Sequence, residues 1–143
     1  MPDEHTARDG GDRAVVALLG VHHVALIATD YERSKGFYVD LLGFTLRSEV
    51  HRAERGSWKG DLELGGRYVL ELFSFPSPPP RVTAPEATGL RHLAFEVEDV
   101  HASIAALQAA GVECEDVRTD SHTGRAMAFF FDPDHQPLEL YGR

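Results

Sequence analysis

The sequence predicts an α+β fold, in which tandem βαβββ modules form a curved mixed sheet around a cleft. Three observations predict it: one segment occurs twice, a glycine stops the helical stretch in each copy, and strand-like runs follow each stop. From His23 the chain reads HVALIATDYERSKGFYVDLLGF, and from His92 it reads HLAFEVEDVHASIAALQAAGV. Each copy opens with a histidine on a short alternating run. An aspartate follows seven residues later (Asp30, Asp99), then a serine four beyond it (Ser34, Ser103), and a glycine closes the segment (Gly43, Gly111).

The order of elements follows from local chemistry. Alternation after His23 and His92 predicts a strand. Thr29-Asp30 and Glu98-Asp99 offer side-chain acceptors to the first-turn N–H groups of a helix. Phe37, Tyr38, Leu41 and Leu42 make the apolar stripe of the first helix; Val100, Ile104 and Leu107 make that of the second. Gly43 and Gly111 stand where a left-handed residue ends a helix. Strands are expected next at FTLRSEVHR, SWKGDLEL and, past a turn at Gly65-Gly66, RYVLELFSF. In the second copy they are expected at VECEDVRTD, RAMAFFF and, past a turn at Asp132–Asp134, PLELYG. One domain over residues 19–143 is expected, with modules at 19–76 and 89–143. The linker, 77–88, lies in the proline-rich stretch PSPPPRVTAPEAT and reads as an extended spacer. Residues 1–18 read as a flexible tail.

Composition narrows the function. Twenty-three acidic against fourteen basic side chains give 143 residues a formal charge of −9. No basic stripe interrupts this, so nucleic acid and anionic membranes are poor partners. The apolar run Ala14–Leu19 is too short to span a bilayer. The stretch before it, MPDEHTARDGGDR, is net acidic, whereas a secretory signal starts positive. A single cysteine, Cys114, suits a reducing compartment. A cytoplasmic protein is expected.

The repeat selects the residues that carry chemistry. His22 and His23 are adjacent, but only His23 has a counterpart, His92; position 91, opposite His22, is Arg. His22 is expected at an edge or facing a helix. The last strand of each module contributes a glutamate within an apolar run, Glu71 in YVLELFSF and Glu139 in PLELY. Such a group is costly to bury unless it is paired or ligates a metal. Glu71 follows His23 by 48 residues and Glu139 follows His92 by 47. If the modules pack about a pseudo-twofold axis, two imidazoles and two carboxylates converge. That mixed set, His23, Glu71, His92 and Glu139, suits a six-coordinate divalent ion with two positions open, and would make the cleft metal-binding. Glu96 shares a strand face with His92 and is a candidate second acid/base or substrate-selecting charge.

With those four residues in a double βαβββ unit, the chain resembles the vicinal oxygen chelate superfamily, of glyoxalase I, extradiol dioxygenase and bleomycin resistance type, over about residues 20–142. Phrases such as HHVALIATD, SWKGDLEL, ELFSFP and GLRHLAF resemble a branch of small bacterial glyoxalase-I-like proteins. The resemblance implies one divalent metal per site, Ni, Zn, Co or Mn before Fe(II), on His23, Glu71, His92 and Glu139. It implies isomerase, lyase or epimerase chemistry through a metal-bound enediolate on a small oxygenated substrate, with Glu139 as the base and Glu71 the steadier ligand. It also implies a homodimer. Ile27 and Phe75 stand where bacterial glyoxalase I has an arginine and an asparagine that help to hold glutathione, so the resemblance keeps the metal centre without those contacts.

Two other functions are open to this family. An Fe(II)-dependent dioxygenase uses two histidines and one carboxylate, and Glu71 as a further ligand would fill a position it needs. A non-catalytic, antibiotic-type binding protein needs an aromatic cleft and no metal, which four intact ligands argue against. Trp58 and Lys59 alternate, so one of them faces the cleft. His51, His101, His122 and His135 lack repeat partners and are expected at the surface, His135 for the geometry of its turn. Cys114 reads as a small hydrophobe.

Overall fold

The computed structural model describes residues 7–143, so the first six residues of the expected tail lie outside it. Residues 7–22 hold one short 3-10 turn, Gly11–Arg13, and are exposed throughout. Two mixed four-stranded sheets follow, one from each repeat. The first comprises β1 (Val24–Ala28), β2 (Thr45–Arg52), β3 (Ser57–Leu64) and β4 (Arg67–Ser74), in the order β1-β4-β3-β2. The second comprises β5 (Leu93–Val97), β6 (Arg118–Thr119), β7 (Ala126–Phe131) and β8 (Pro137–Gly142), in the order β5-β8-β7-β6. In both, the first and last strands of the module run parallel and the remaining pairs are antiparallel. The expected α+β fold of tandem βαβββ modules is thus present, its mixed sheet built as two four-stranded sheets of the same topology.

The helices begin as the sequence requires. Asp30 accepts from the Arg33 N–H at 3.1 Å to start α1 (Tyr31–Gly36), and Asp99 accepts from the Ala102 N–H at 2.9 Å to start α2 (Val100–Ala109). Thr29, also a candidate cap, instead donates its hydroxyl to Asp134 of the other module. Gly43 and Gly111 end the helical segments at φ 82° and 83°, a conformation glycine adopts without a Cβ clash. The first helix departs from regularity, because Phe37–Leu41 continue α1 as a π-helical turn in which Leu42 N–H reaches Phe37 C=O. The wider turn keeps Phe37 and Tyr38 in the core but carries Leu41 out to solvent.

One apolar core joins both halves. Leu62, Leu70 and Leu72 from the first sheet, and Phe130, Leu138 and Leu140 from the second, pack with Phe37, Tyr38 and Ile104 from the helical segments. Polar contacts reinforce the seam. Tyr38 donates to Asp132 at 2.8 Å, and the Thr29 N–H donates to Asp134 at 3.1 Å, so the β7–β8 turn clasps the start of α1. His135, in that turn, has φ 62°, the turn geometry anticipated for it.

The expected strand over residues 112–120 does not form as one piece. Cys114 makes an isolated bridge to Phe130, and ladder pairing resumes only at β6. Glu113, Glu115 and Asp116 crowd this sheet edge with charge, and edge strands carrying charge are short. The linker also departs from a plain spacer. Thr83 donates to the His135 carbonyl at 3.2 Å, and Arg81 donates to the carbonyls of Leu90 and Arg91, so the segment folds back beside the second sheet.

Candidate functional site

Each sheet has one face against the core and one face open. On β4, Leu70, Leu72 and Ser74 point inward, leaving Glu71 and Phe73 on the open side. On β8, Leu138 and Leu140 point inward and Glu139 and Tyr141 do not. Parallel pairing sets Ala25 opposite Glu71 and Ala94 opposite Glu139, the same register in both modules. The histidines immediately before β1 and β5 therefore meet the glutamates. His23 Nε2 lies 2.7 Å from Glu71 Oε2, and His92 Nε2 lies 2.8 Å from Glu139 Oε2. Glu139 is the more enclosed carboxylate, its side chain 8% exposed against 14% for Glu71.

Within one chain the pairs stay apart. Among the described residues, no group of three or more His, Cys, Asp or Glu side chains gathers as a cation site. Each module supplies one imidazole nitrogen and one carboxylate, donors that fit a divalent ion of mixed N/O preference but too few to enclose it.

The two pairs have different surroundings. Around Glu71 the setting is polar, since Lys59 Nζ lies 3.1 Å from its carboxylate and 3.0 Å from Asp61. Tyr68 donates to Asp61 at 3.0 Å, and its ring stacks on His23. Burial pushes Glu71 up, but the Lys59 ammonium, the Tyr68 hydroxyl and His23 outweigh it and hold the carboxyl below its ordinary range. Asp61 is likewise pushed up by burial and brought lower overall by Lys59, Ser48 and Tyr68. Around Glu139 the setting is aromatic and guanidinium-rich. Phe129 is its cross-strand partner, the His92 ring stands edge-on to Phe129 at 5.1 Å, and Arg91 and Arg118 both lie over that ring.

A β-bulge explains the polar side. Next to the Gly65-Gly66 turn, Leu64 pairs with Arg67 and Glu63 with Tyr68, but Leu62 then pairs with Leu70, leaving Val69 as an extra residue. That residue reverses the facing of all that precedes it on β4. Tyr68 comes to the face that carries Glu71, and Lys59 and Asp61 share that face across the ladder. Trp58 turns the other way and stacks on Tyr31. Alternation left Trp58 or Lys59 for the cleft, and the structure gives it Lys59.

The remaining candidates are placed as follows. Glu96 lies opposite Tyr141, and its carboxylate meets Arg143 Nε at 3.3 Å. His22 is exposed, with Nδ1 2.8 Å from that of His23. Ile27 is 57% exposed on the face of His23, and Phe75 stacks on Phe73. Cys114 is half-buried, and burial pushes its thiol up.

The model of the Glyoxalase/Bleomycin resistance protein/Dioxygenase superfamily matches residues 20–140. The chain belongs to that superfamily. Within it, the uncharacterized protein YaeR of Escherichia coli (strain K12) is 59% identical over 127 residues, 89% of this chain and 98% of YaeR. A crystal structure of a glyoxalase family protein from Enterococcus faecalis shares the fold at TM-score 0.79 and 49% identity, covering 86% of this chain and 97% of that one. More remotely, the 2-epi-5-epi-valiolone epimerase of an Actinomyces species is 29% identical, covering 90% of this chain and 81% of the epimerase. No helix among the described residues is long and apolar enough to cross a membrane.

Proposed function

We propose that the protein is a divalent-metal-dependent isomerase, lyase or epimerase of glyoxalase I type, its centre completed between two copies of the chain. His23 and Glu71 of one copy would join the partner's His92 and Glu139. The observation behind this reading is the pair of His–Glu couples, in identical register on open sheet faces, each holding half the donors a cation needs. Ni, Zn, Co and Mn suit that donor set, and Fe(II) is admissible. When bound, such an ion would act as a Lewis acid toward vicinal oxygens of a small substrate and acidify the adjacent C–H.

The chain's own groups divide the remaining work. Glu139, enclosed beside Phe129, is assigned as the base that takes the carbon-bound proton. Glu71, held ionised by Lys59 and Tyr68, is the steadier ligand. Glu96 is assigned as a second acid/base or a charge that selects substrate. Ile27 and Phe75 put apolar surface where a glutathione tripeptide would need donors, so a substrate free of glutathione is favoured. A homodimer in the cytoplasm, acting on a small molecule, completes the reading.

Elemental analysis of untagged protein, as purified and after Ni, Co, Mn, Zn or Fe(II) reconstitution, tests it with His23→Ala alongside. The reading expects about one metal per chain, lost in the variant, and favours assays for isomerase and lyase substrates. Selective, oxygen-sensitive iron would replace it with dioxygenase chemistry. No uptake of any metal would overturn it in favour of a small-molecule binding protein.

A further inference from the structure

Beside His92 and Glu139 the second sheet carries a cavity of about 360 Å³, within the range of small-molecule sites. Phe129, Phe131 and Pro137 line it from the sheet, and Arg81, Val82 and Thr83 line it from the folded-back linker. Arg91 and Arg118 also line it, beside Glu86, Glu115 and His135, so three arginines and two glutamates share one pocket of a chain whose formal charge is −9.

The three arginines do different things. Arg81 gives its donors to the Leu90 and Arg91 carbonyls and so holds the wall. Arg91 is paired with Glu86 at 2.6 Å, and its other terminal nitrogen lies 3.3 Å from His92 Nδ1. Arg118 meets Glu115 at 3.5 Å, a long contact between two side chains that are each about half exposed. Arg91 and Arg118 both lie over Phe129, 5.5 and 5.6 Å from its centroid. One ring thus gathers two like charges that would otherwise separate. Two planar guanidinium groups over an apolar floor match the forked oxygens of a carboxylate or phosphate.

We infer that this pocket binds an anionic group of the substrate, a carboxylate or a phosphate ester, with Arg118 as the principal contact and Arg91 as the second. The inference rests on the reading of His92 and Glu139 proposed above and narrows its substrate to a small oxygenated acid. An arriving anion takes Arg118 from Glu115, and its organic body lies on Phe129 and Phe131. The linker, through Arg81, is part of the binding wall.

The test titrates the metal-stripped full chain with inorganic phosphate, phenyl phosphate, benzoate and neutral benzyl alcohol, followed by ¹⁵N NMR of the backbone amides. The inference expects phenyl phosphate or benzoate to shift amides at 115–118 and 129–131, the tighter of the two naming the anion. Arg118→Ala should weaken that binding about tenfold, as expected for loss of a charge-assisted hydrogen bond, and Arg118→Lys less. Benzyl alcohol binding as tightly as the anions, equal binding in Arg118→Ala, or no shift in these segments would overturn it. Metal content separates the two readings. His23→Ala should lose metal and keep anion binding, whereas Arg118→Ala should keep metal and bind the anion about tenfold more weakly.

Discussion

Glu71 and Glu139 occupy equivalent points in the two sheets, each opposite an alanine of a parallel strand and each within 2.8 Å of a histidine. If the centre joins one copy's first pair to another's second, single-site variants should complement each other. His23→Ala and His92→Ala should each lose metal as homodimers. Mixed after dissociation and reassociation, a heterodimer should regain one intact site of its two. Metal analysis of the separated heterodimer checks this, and a site built within one chain would show no recovery.

Lys59 neutralises Asp61 and Glu71 from inside the open face. Lys59→Met should leave two carboxylates without that cation and cost about 1 kcal/mol, a small value because solvent reaches the group. A divalent ion should then stabilise the variant more than it stabilises the wild type, since the ion supplies the missing positive charge. Thermal melts with and without metal report both effects.

Ser34 and Ser103 are equivalent in the repeat but unequal in bonding. Ser103 donates to the Asp99 carbonyl at 2.7 Å, whereas the fully buried Ser34 hydroxyl finds no partner among the described residues. A buried polar group without a partner costs roughly 1–3 kcal/mol. Ser34→Ala should therefore raise stability, by about 1 kcal/mol after loss of packing, while Ser103→Ala should lower it slightly. Denaturant unfolding of the two variants gives the comparison.

Glu49 gives the acid limb of stability a specific contribution. It accepts from Tyr31 at 2.7 Å and from Lys35 at 3.1 Å. The Tyr31 hydroxyl, aided by Lys35 and opposed by burial, holds its carboxyl below the ordinary range. The unfolded chain therefore binds the proton first as pH falls. The contribution is complete above the unfolded value, about 4.3, and lost as pH falls through the depressed folded value. Glu49→Gln should melt lower than wild type at neutral pH, and the gap should close in acid.

Much of this was legible because the sequence repeats. Alternation and turns mark β3 and β8 to the residue, and Asp30 and Asp99 cap their helices as their side chains suggest. The pairing of His23 with Glu71 and His92 with Glu139 follows from repeat position. What stayed hidden depends on backbone register. A two-residue turn at Gly65-Gly66 sets Lys59 opposite Leu72, on the core side, and only the extra Val69 brings Lys59 opposite Phe73 and turns Tyr68 to the same face. One inserted residue changes the facing of a strand without disturbing its composition. The linker misled for another reason, since proline-rich sequence predicts extension but not what Arg81 and Thr83 will touch. The π-helical turn after Gly36 likewise moved Leu41 off the stripe that a regular helix gives it.

The unlike surroundings of the two His–Glu pairs have a stereochemical consequence. A module that merely associated with its own copy would offer a substrate the same wall on either side, and both ends of the molecule would be treated alike. Duplication within one chain lifts that equivalence. One wall carries Lys59, Asp61 and Tyr68; the other carries Phe129 beneath Arg91 and Arg118. On the proposed reading, a molecule held between them would have a head and a tail, and a proton taken by Glu139 would leave from one defined face of the carbon.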